Sequence, residues 1–223
     1  MKAGNAKTKL PSRRMAERET RRRFIVDAAR GLLSKKEISD ISMDDIAEAA
    51  EYTRRTLYAY FKSGDDIWLR ILFEDMTQRW EWQQQALVGV EGGLARITVW
   101  AEAHYAFWKE NPQSIAVERY WDLHGIDRDR VSTETFDAFE TLNNELANEL
   151  REMFRGGIED GSLRTDLLVD ACISQFLYAL RAVLGRALSS SYSFTDVDPD
   201  RYVRHYLDQY RRSICSETWR PDS

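Results

Sequence analysis

The sequence predicts an all-α protein of about nine helices, and three observations carry that expectation. Apolar residues recur at spacings of three and four, no stretch of any length alternates apolar with polar side chains, and only four prolines and eleven glycines interrupt 223 residues. The expected architecture is a small three-helix unit followed by a larger helical bundle. Three segments are expected: a basic flexible arm over 1–17, a helix-turn-helix unit over 18–64, and a second domain over 65–223.

Residues 1–17 are polar, basic and poor in apolar side chains, hence the arm. Over 18–33, Phe24, Ile25, Ala28, Ala29, Leu32 and Leu33 trace one face of an amphipathic helix. Ser42, with Asp45 three residues on, forms a capping box opening a short helix that ends near Ala50. Thr53 caps a third helix, which carries the segment "TRRTLYAYFK". Ser63 and Asp66 repeat the capping pattern and start a long fourth helix with Leu69, Leu72, Phe73, Met76 and Trp80 on its face. The "EGG" at 91–93 breaks the chain, a helix over 94–110 stops at Asn111-Pro112, and a shorter one covers 113–124. A helix over 132–159 buries Phe139, Leu142, Leu146, Leu150 and Met153. The turn "EDGSLRTD" separates it from a helix over 166–188. The last helix, 199–216, has Asp198 as its cap and Pro199 at its first position, with Tyr202, Tyr206, Tyr210 and Ile214 on one side.

The net charge of −5 is unevenly divided. Residues 1–70 hold 16 lysines and arginines against 11 acids, whereas the remainder holds 16 against 26. A basic end on an acidic body points to a polyanion meeting the amino-terminal part alone. No secretory signal and no membrane span are expected, since no apolar run reaches the required length. Cys172 and Cys215 stand apart, which fits a reducing, cytoplasmic setting and no thiolate metal site.

Two short helices joined by a tight turn cross steeply, so a small residue is needed where their backbones approach; Ala47 takes that place. Ile46, Ala50, Tyr52, Leu57 and Phe61 supply the contacts behind it, leaving Arg54, Arg55, Thr56, Tyr58, Ala59 and Tyr60 outward. In a helix-turn-helix that outward face enters the major groove of DNA. Arginine can bind guanine O6 and N7 at two points, worth ~1–3 kcal/mol of discrimination. Threonine and tyrosine hydroxyls reach phosphates, which set register.

The stretch "ISMDDIAEAAEYTRRTLYAYFKSGDDIWLRIL" closely resembles the DNA-binding segment of TetR/AcrR-type bacterial transcriptional regulators, and the preceding "FIVDAARGLLSKKEIS" looks like that family's first helix. The resemblance spans about residues 20–73 and rests on Ile46-Ala47, Ala50, Thr56-Leu57-Tyr58 and Tyr60-Phe61-Lys62. "GGIEDGSLRTDL" is similar to the turn before the family's dimer-forming helices. By this resemblance Thr53, Arg54, Arg55, Thr56, Tyr58, Ala59 and Tyr60 fall on the recognition helix, Ser42 and Met43 at a phosphate-facing helix start, and Lys62 near a phosphate contact. Three residues depart from the pattern. Glu51 and Glu37 stand where glycines are common, so a strained or reshaped turn is expected, and Gly64 replaces a phosphate-contacting lysine.

Six of the seven tryptophans lie between residues 68 and 121, with histidines and further aromatics around them. One reading is an aromatic core. The other, which the resemblance favours, is a partly open cavity for a flat, mainly apolar inducer, with candidate lining residues Trp80, Trp100, His104, Tyr105, Trp108, Tyr120, Trp121, His124, Phe139 and Phe176. The helix over 166–188 is apolar around most of its circumference, as Leu168, Cys172, Phe176, Leu180 and Leu184 adjoin Ala171, Ala179, Val183 and Ala187. Either it is central to its own monomer, or a homodimer through it and the last helix covers it.

No catalytic residues are expected. The histidines are scattered, no Glu-x-x-His pair is present, and neither a phosphate-cradling glycine loop nor a nucleophile elbow occurs. The expected protein is a cofactor-free, cytoplasmic homodimer that binds a palindromic double-stranded DNA operator and is released by a small molecule, most simply as a repressor. The alternative is a helical small-molecule-binding protein without specific DNA binding.

Overall fold

The caps anticipated above set the architecture. In the computed structural model, which describes residues 13–187 and 198–216, the chain forms α1 (Arg13–Leu32), a short 3-10 turn (Ile38–Asp40), α2 (Met43–Ala49), α3 (Arg54–Tyr58), α4 (Gly64–Ala86), α5 (Gly93–Glu110), α6 (Pro112–His124), α7 (Thr133–Glu159), α8 (Val169–Ala187) and α9 (Pro199–Ile214). Among the described residues there are nine α-helices and no strand beyond one bridge between Leu163 and Cys215. No described helix is long and apolar enough to cross a membrane.

Side chains start these helices, as expected at Ser42, Thr53, Ser63 and Asp198, and also at Ser132, which was placed inside its helix and caps it instead. Ser42 Oγ accepts the Asp45 N–H while Asp45 accepts the Ser42 N–H, and Thr53, Ser63, Ser132 and Asp198 each accept an N–H from their own first turn. Four boundaries differ from expectation. Residues 13–17, assigned to the arm, extend α1, with an Arg13–Glu17 pair one turn apart (3.0 Å); the arm residues 1–12 lie outside the described residues. The third helix ends at Tyr58 rather than running through the whole basic segment. Its last residues turn away because Asp66 draws the Lys62 N–H at 2.9 Å. α8 begins at Val169, since the preceding segment lies beside the end of α9, where the Arg164 N–H reaches Ile214 O at 3.0 Å. α9 stops at Ile214 because the Ser216 N–H turns to Ser162 O (3.0 Å).

Two apolar cores hold the elements. One joins Ile25, Val26, Ala29, Ile46, Ala47, Leu57 and Phe61 of α1–α3 to Ile67–Met76 of α4, then to Val117, Trp121 and Leu142 of α6 and α7. It therefore crosses the boundary expected at 64/65. The other packs α5 and α7 against α8 and α9 through Trp100, Phe107, Trp108, Phe154, Phe176, Leu180 and Leu184. Phe176, Leu180 and Leu184 are thus covered within this chain, and Ala171, Gln175, Tyr178 and Ala182 form an exposed strip of α8. Gly93 is where α5 meets α7: a Cβ there would lie 2.1 Å from Gly157 N, so only hydrogen fits.

Of the two turn positions where glycine was expected, one is strained and one is not. Glu37 has φ −65° and ψ 145°, an extended conformation open to any residue. Glu51 has φ 56°, the only positive φ on a described non-glycine residue. Left-handed backbone costs an L-residue ~1–2 kcal/mol, against ~0.5–1 kcal/mol of extra chain entropy lost by glycine. Replacing Glu51 by Gly is therefore expected to stabilise the protein by ~0.5–1 kcal/mol. Urea unfolding checks this: the midpoint should rise at unchanged slope, and a lower midpoint would show that the turn is not strained.

Candidate functional site

The outward face of α2 and α3 gathers the candidate contact residues. Ile46, Ala47 and Leu57 are buried, and the Tyr52 N–H closes the turn on Ala47 O (2.9 Å), so the rest of both helices faces out. Ser42, Thr53, Arg54, Arg55, Tyr58, Ala59 and Lys62 are exposed, and Met43, Thr56 and Tyr60 are half-buried. Arg54 is held in place: its Nη1 meets Asp44 Oδ2 at 2.9 Å and its guanidinium lies 5.7 Å from the Tyr58 ring centroid. Lys36 and then Ser42 hold the Asp45 carboxyl well below its ordinary value, so the cap stays ionised at neutral pH. Two basic residues from α1 join the surface and were not singled out in the sequence. Arg21 Nη1 donates to Tyr60 Oη at 3.4 Å, and the Arg18 guanidinium lies 5.9 Å from the Tyr60 ring centroid. Their signal was the run "RETRRR", whose helical spacing puts Arg18 and Arg21 on one side.

Gly64, at the start of α4, is the missing-lysine position. A Cβ there would meet only Trp68 Nε1 at 3.7 Å and Met43 Sδ at 3.9 Å, ordinary contacts, so a side chain fits.

The start of α4 is tied to the segment between α6 and α7. Ser63 Oγ donates to Arg130 O (2.7 Å), and Asp66 Oδ1 accepts from Ser132 N–H (3.0 Å) and Oγ (2.9 Å). Asp65 accepts from Tyr120 Oη (2.8 Å) and pairs with Arg130 Nε (2.9 Å). Burial and that bond to Asp65 push the Tyr120 phenol up to about 12, so it remains a donor.

A cavity of about 610 Å³ lies between α4, α5, α6, α7 and α8. Four of the ten candidates line it: Trp100, His104, Trp121 and Phe139. The other six lie elsewhere. Trp80 donates to Glu149 (2.9 Å), Tyr105 bonds Asp200 on α9, and Trp108 is fully buried in the core. Tyr120 points to Asp65, His124 is exposed and stacked on Tyr120, and Phe176 packs on Tyr210 at 4.4 Å between ring centroids.

The sequence reading missed the polar wall. Arg79 pairs with Glu118, both buried; Arg181 lies 4.0 Å from Glu118 and 2.8 Å from Asp122. Gln83 donates to Trp100 O (3.3 Å) and lies 3.4 Å from His104 Nδ1. The signal was present: Leu72, Met76, Arg79 and Gln83 follow helical spacing, so the two polar residues continue a buried face. Burial first, and then the charges of Arg79 and Arg181, press the His104 pKa well below 6.5, leaving a neutral ring.

Residues 25–71 match the family model described as bacterial regulatory proteins, tetR family. No curated protein matches the chain. Solved structures share the fold over most of their length. The fatty acid degradation regulator FadR from Bacillus halodurans is 16% identical with TM-score 0.65, the match covering 86% of this chain and 94% of that one. A tetR-family regulatory protein from Rhodococcus RHA1 is 16% identical with TM-score 0.65, covering 88% and 98%. PfmR from Thermus thermophilus, a TetR family transcriptional regulator, is 20% identical with TM-score 0.60, covering 84% and 97%.

The lowered pKa of His104 makes stability depend on pH. Below the ordinary 6.5 the unfolded chain takes up a proton that the folded one refuses. This contribution is intact above that value and declines, by at most ~1.4 kcal/mol per pH unit, as pH falls toward the folded value. Denaturation between pH 7 and 5 should show this slope, and His104→Phe should flatten it; equal slopes would mean that His104 protonates freely.

Proposed function

We propose that this chain, whose amino-terminal domain belongs to the tetR family of bacterial regulatory proteins, binds a two-fold-symmetric operator as a homodimer and is released from it by a small molecule held in the α4–α8 cavity. The observation that carries this reading is the reach of α4. Its first turn shares a core with the recognition helix through Leu57, Phe61 and Ile67, while Leu72, Met76, Arg79 and Gln83 further along it line the cavity. A second connection supports it: Gly125, Ile126 and Arg128 border the cavity, and the same segment ends at Arg130 and Ser132, which bind Ser63, Asp65 and Asp66. A ligand preferring one tilt of α4 would alter the separation of two recognition helices that must meet grooves ~34 Å apart. It can shift the equilibrium only by its differential affinity, typically ~1–3 kcal/mol. Dimerisation through α8 and α9 would use the exposed strip of α8 and the outward residues of α9, Tyr202, His205 and Gln209. Repression is the simplest outcome of such release.

Selecting bound duplexes from a random DNA pool tests the reading. A two-fold-symmetric consensus is expected; enrichment of no sequence would instead leave a helical small-molecule binder. On the selected operator, Arg54→Ala and Arg55→Ala should each cost ~1–3 kcal/mol and relax one base position per half-site. Uniform weakening on all sequences would make them phosphate contacts. Gly64→Lys should tighten binding and steepen the log–log salt dependence by ~0.9 per phosphate engaged, read by fluorescence anisotropy across a salt series. An unchanged slope would put residue 64 away from the backbone.

A further inference from the structure

Of the two outward arginines of α3, the protein itself orients one. Arg54 Nη1 donates to Asp44 Oδ2 at 2.9 Å and Nη2 to Tyr58 Oη at 3.4 Å, while the Tyr58 ring centroid lies 5.7 Å from the guanidinium. Asp44 belongs to the first turn of α2 and Tyr58 is the last residue of α3, so both helices of the pair hold this one side chain. Arg55, its neighbour, is exposed and pairs with none of the described residues. A guanidinium has five N–H donors, so three remain on Arg54, enough for the O6 and N7 of a guanine.

Asp44 is not needed to start α2. Asp45 accepts from the Ser42 N–H and Oγ and pairs with Lys36 at 2.6 Å, so it already supplies an acid at the positive end of the helix. Asp44 and Arg54 are each more than half exposed, and such a pair adds little to stability. An acid on this face also repels phosphate. What the pair does fix is the direction of a long side chain that otherwise spreads over many rotamers.

We infer that Asp44 is a positioning residue for DNA recognition, which aims Arg54 at one base pair of each half-site while its charge weakens binding to all DNA alike. The inference rests on the operator reading above and gives a role to a residue that need not touch a base. Orienting the guanidinium in advance lowers the cost of ordering it on the operator. On DNA that offers Arg54 no acceptor, this advantage is lost and the repulsion remains. One exposed ion pair thereby serves selectivity rather than stability.

Duplex selection with the wild-type protein, Asp44→Ala, Asp44→Asn, Arg54→Ala and Arg55→Ala, followed by anisotropy on operator and on random-sequence DNA, tests this. The base position that Arg54→Ala relaxes should relax in Asp44→Ala too, while the position relaxed by Arg55→Ala keeps its preference. Affinity of Asp44→Ala for random-sequence DNA should rise about twofold to fivefold, and the operator's advantage over it should fall by a similar factor, the range of an exposed ion pair. Asp44→Asn, which keeps an acceptor without the charge, should show the rise and retain the base preference. In the free wild-type protein, which needs neither DNA nor a variant, nitrogen relaxation should find the Arg54 Nε–H more rigid than that of Arg55. Three outcomes would overturn the inference and leave the operator reading standing: Arg54's base position intact in Asp44→Ala, preference lost at both positions, or equal mobility of the two arginines. An Arg54→Ala that relaxes no base position would overturn it as well. Enrichment of no sequence by the wild-type protein would overturn the operator reading together with the inference.

Discussion

The carboxylate of Asp66 is the constraint from which the rest of the arrangement follows. It is fully buried and accepts three hydrogen bonds, from Lys62 N–H, Ser132 N–H and Ser132 Oγ. A carboxyl group away from water is tolerated only when its oxygens are matched in this way. The match fixes three segments at one point: the chain leaving α3, the first turn of α4, and the start of α7. Asp65 adds α6 through Tyr120 and the α6–α7 segment through Arg130. The helix pair of α2 and α3 is therefore bolted to α6 and α7 at the base of α4 and does not hang from a linker.

That junction gives α4 mechanical meaning. Its 23 residues make a rod of ~35 Å, so a tilt of about 5° moves one end relative to the other by about 3 Å. The rod is held along its length. Asp75 bonds Arg30 of α1, Arg70 bonds Glu19 and Glu74, and Arg79 bonds Glu118 of α6. Because the first apolar core runs unbroken from α1 into α6 and α7, displacement on the cavity side has a packed path to α3. Close packing favours two discrete arrangements over gradual deformation.

Polar chemistry in the cavity follows a similar logic. Arg79, Glu118, Arg181 and Asp122 compensate one another along one wall, and Glu140, Asn143 and Asn144 of α7 add further polar groups to the lining.

How much of this was legible in the chain varies with the range of the interaction. Caps, helix number and the helix pair of α2 and α3 were readable because Ser42, Thr53, Ser63 and Asp198 act on amides three residues away. The glycine expected at 51 was also a local matter, and the left-handed backbone of Glu51 bears it out. Which aromatics border the cavity was not readable. Trp100 and His104 line it while Trp108, on the same helix face, is buried in the core, because depth along α5 is set by α7 and α8. Nor did the "EGG" segment disclose that Gly93 must admit the backbone of Gly157, 64 positions on. Periodicity assigns a face to a residue from its neighbours in sequence. What that face meets depends on the rotation and depth at which helices distant in sequence come to rest, and only their mutual packing settles it.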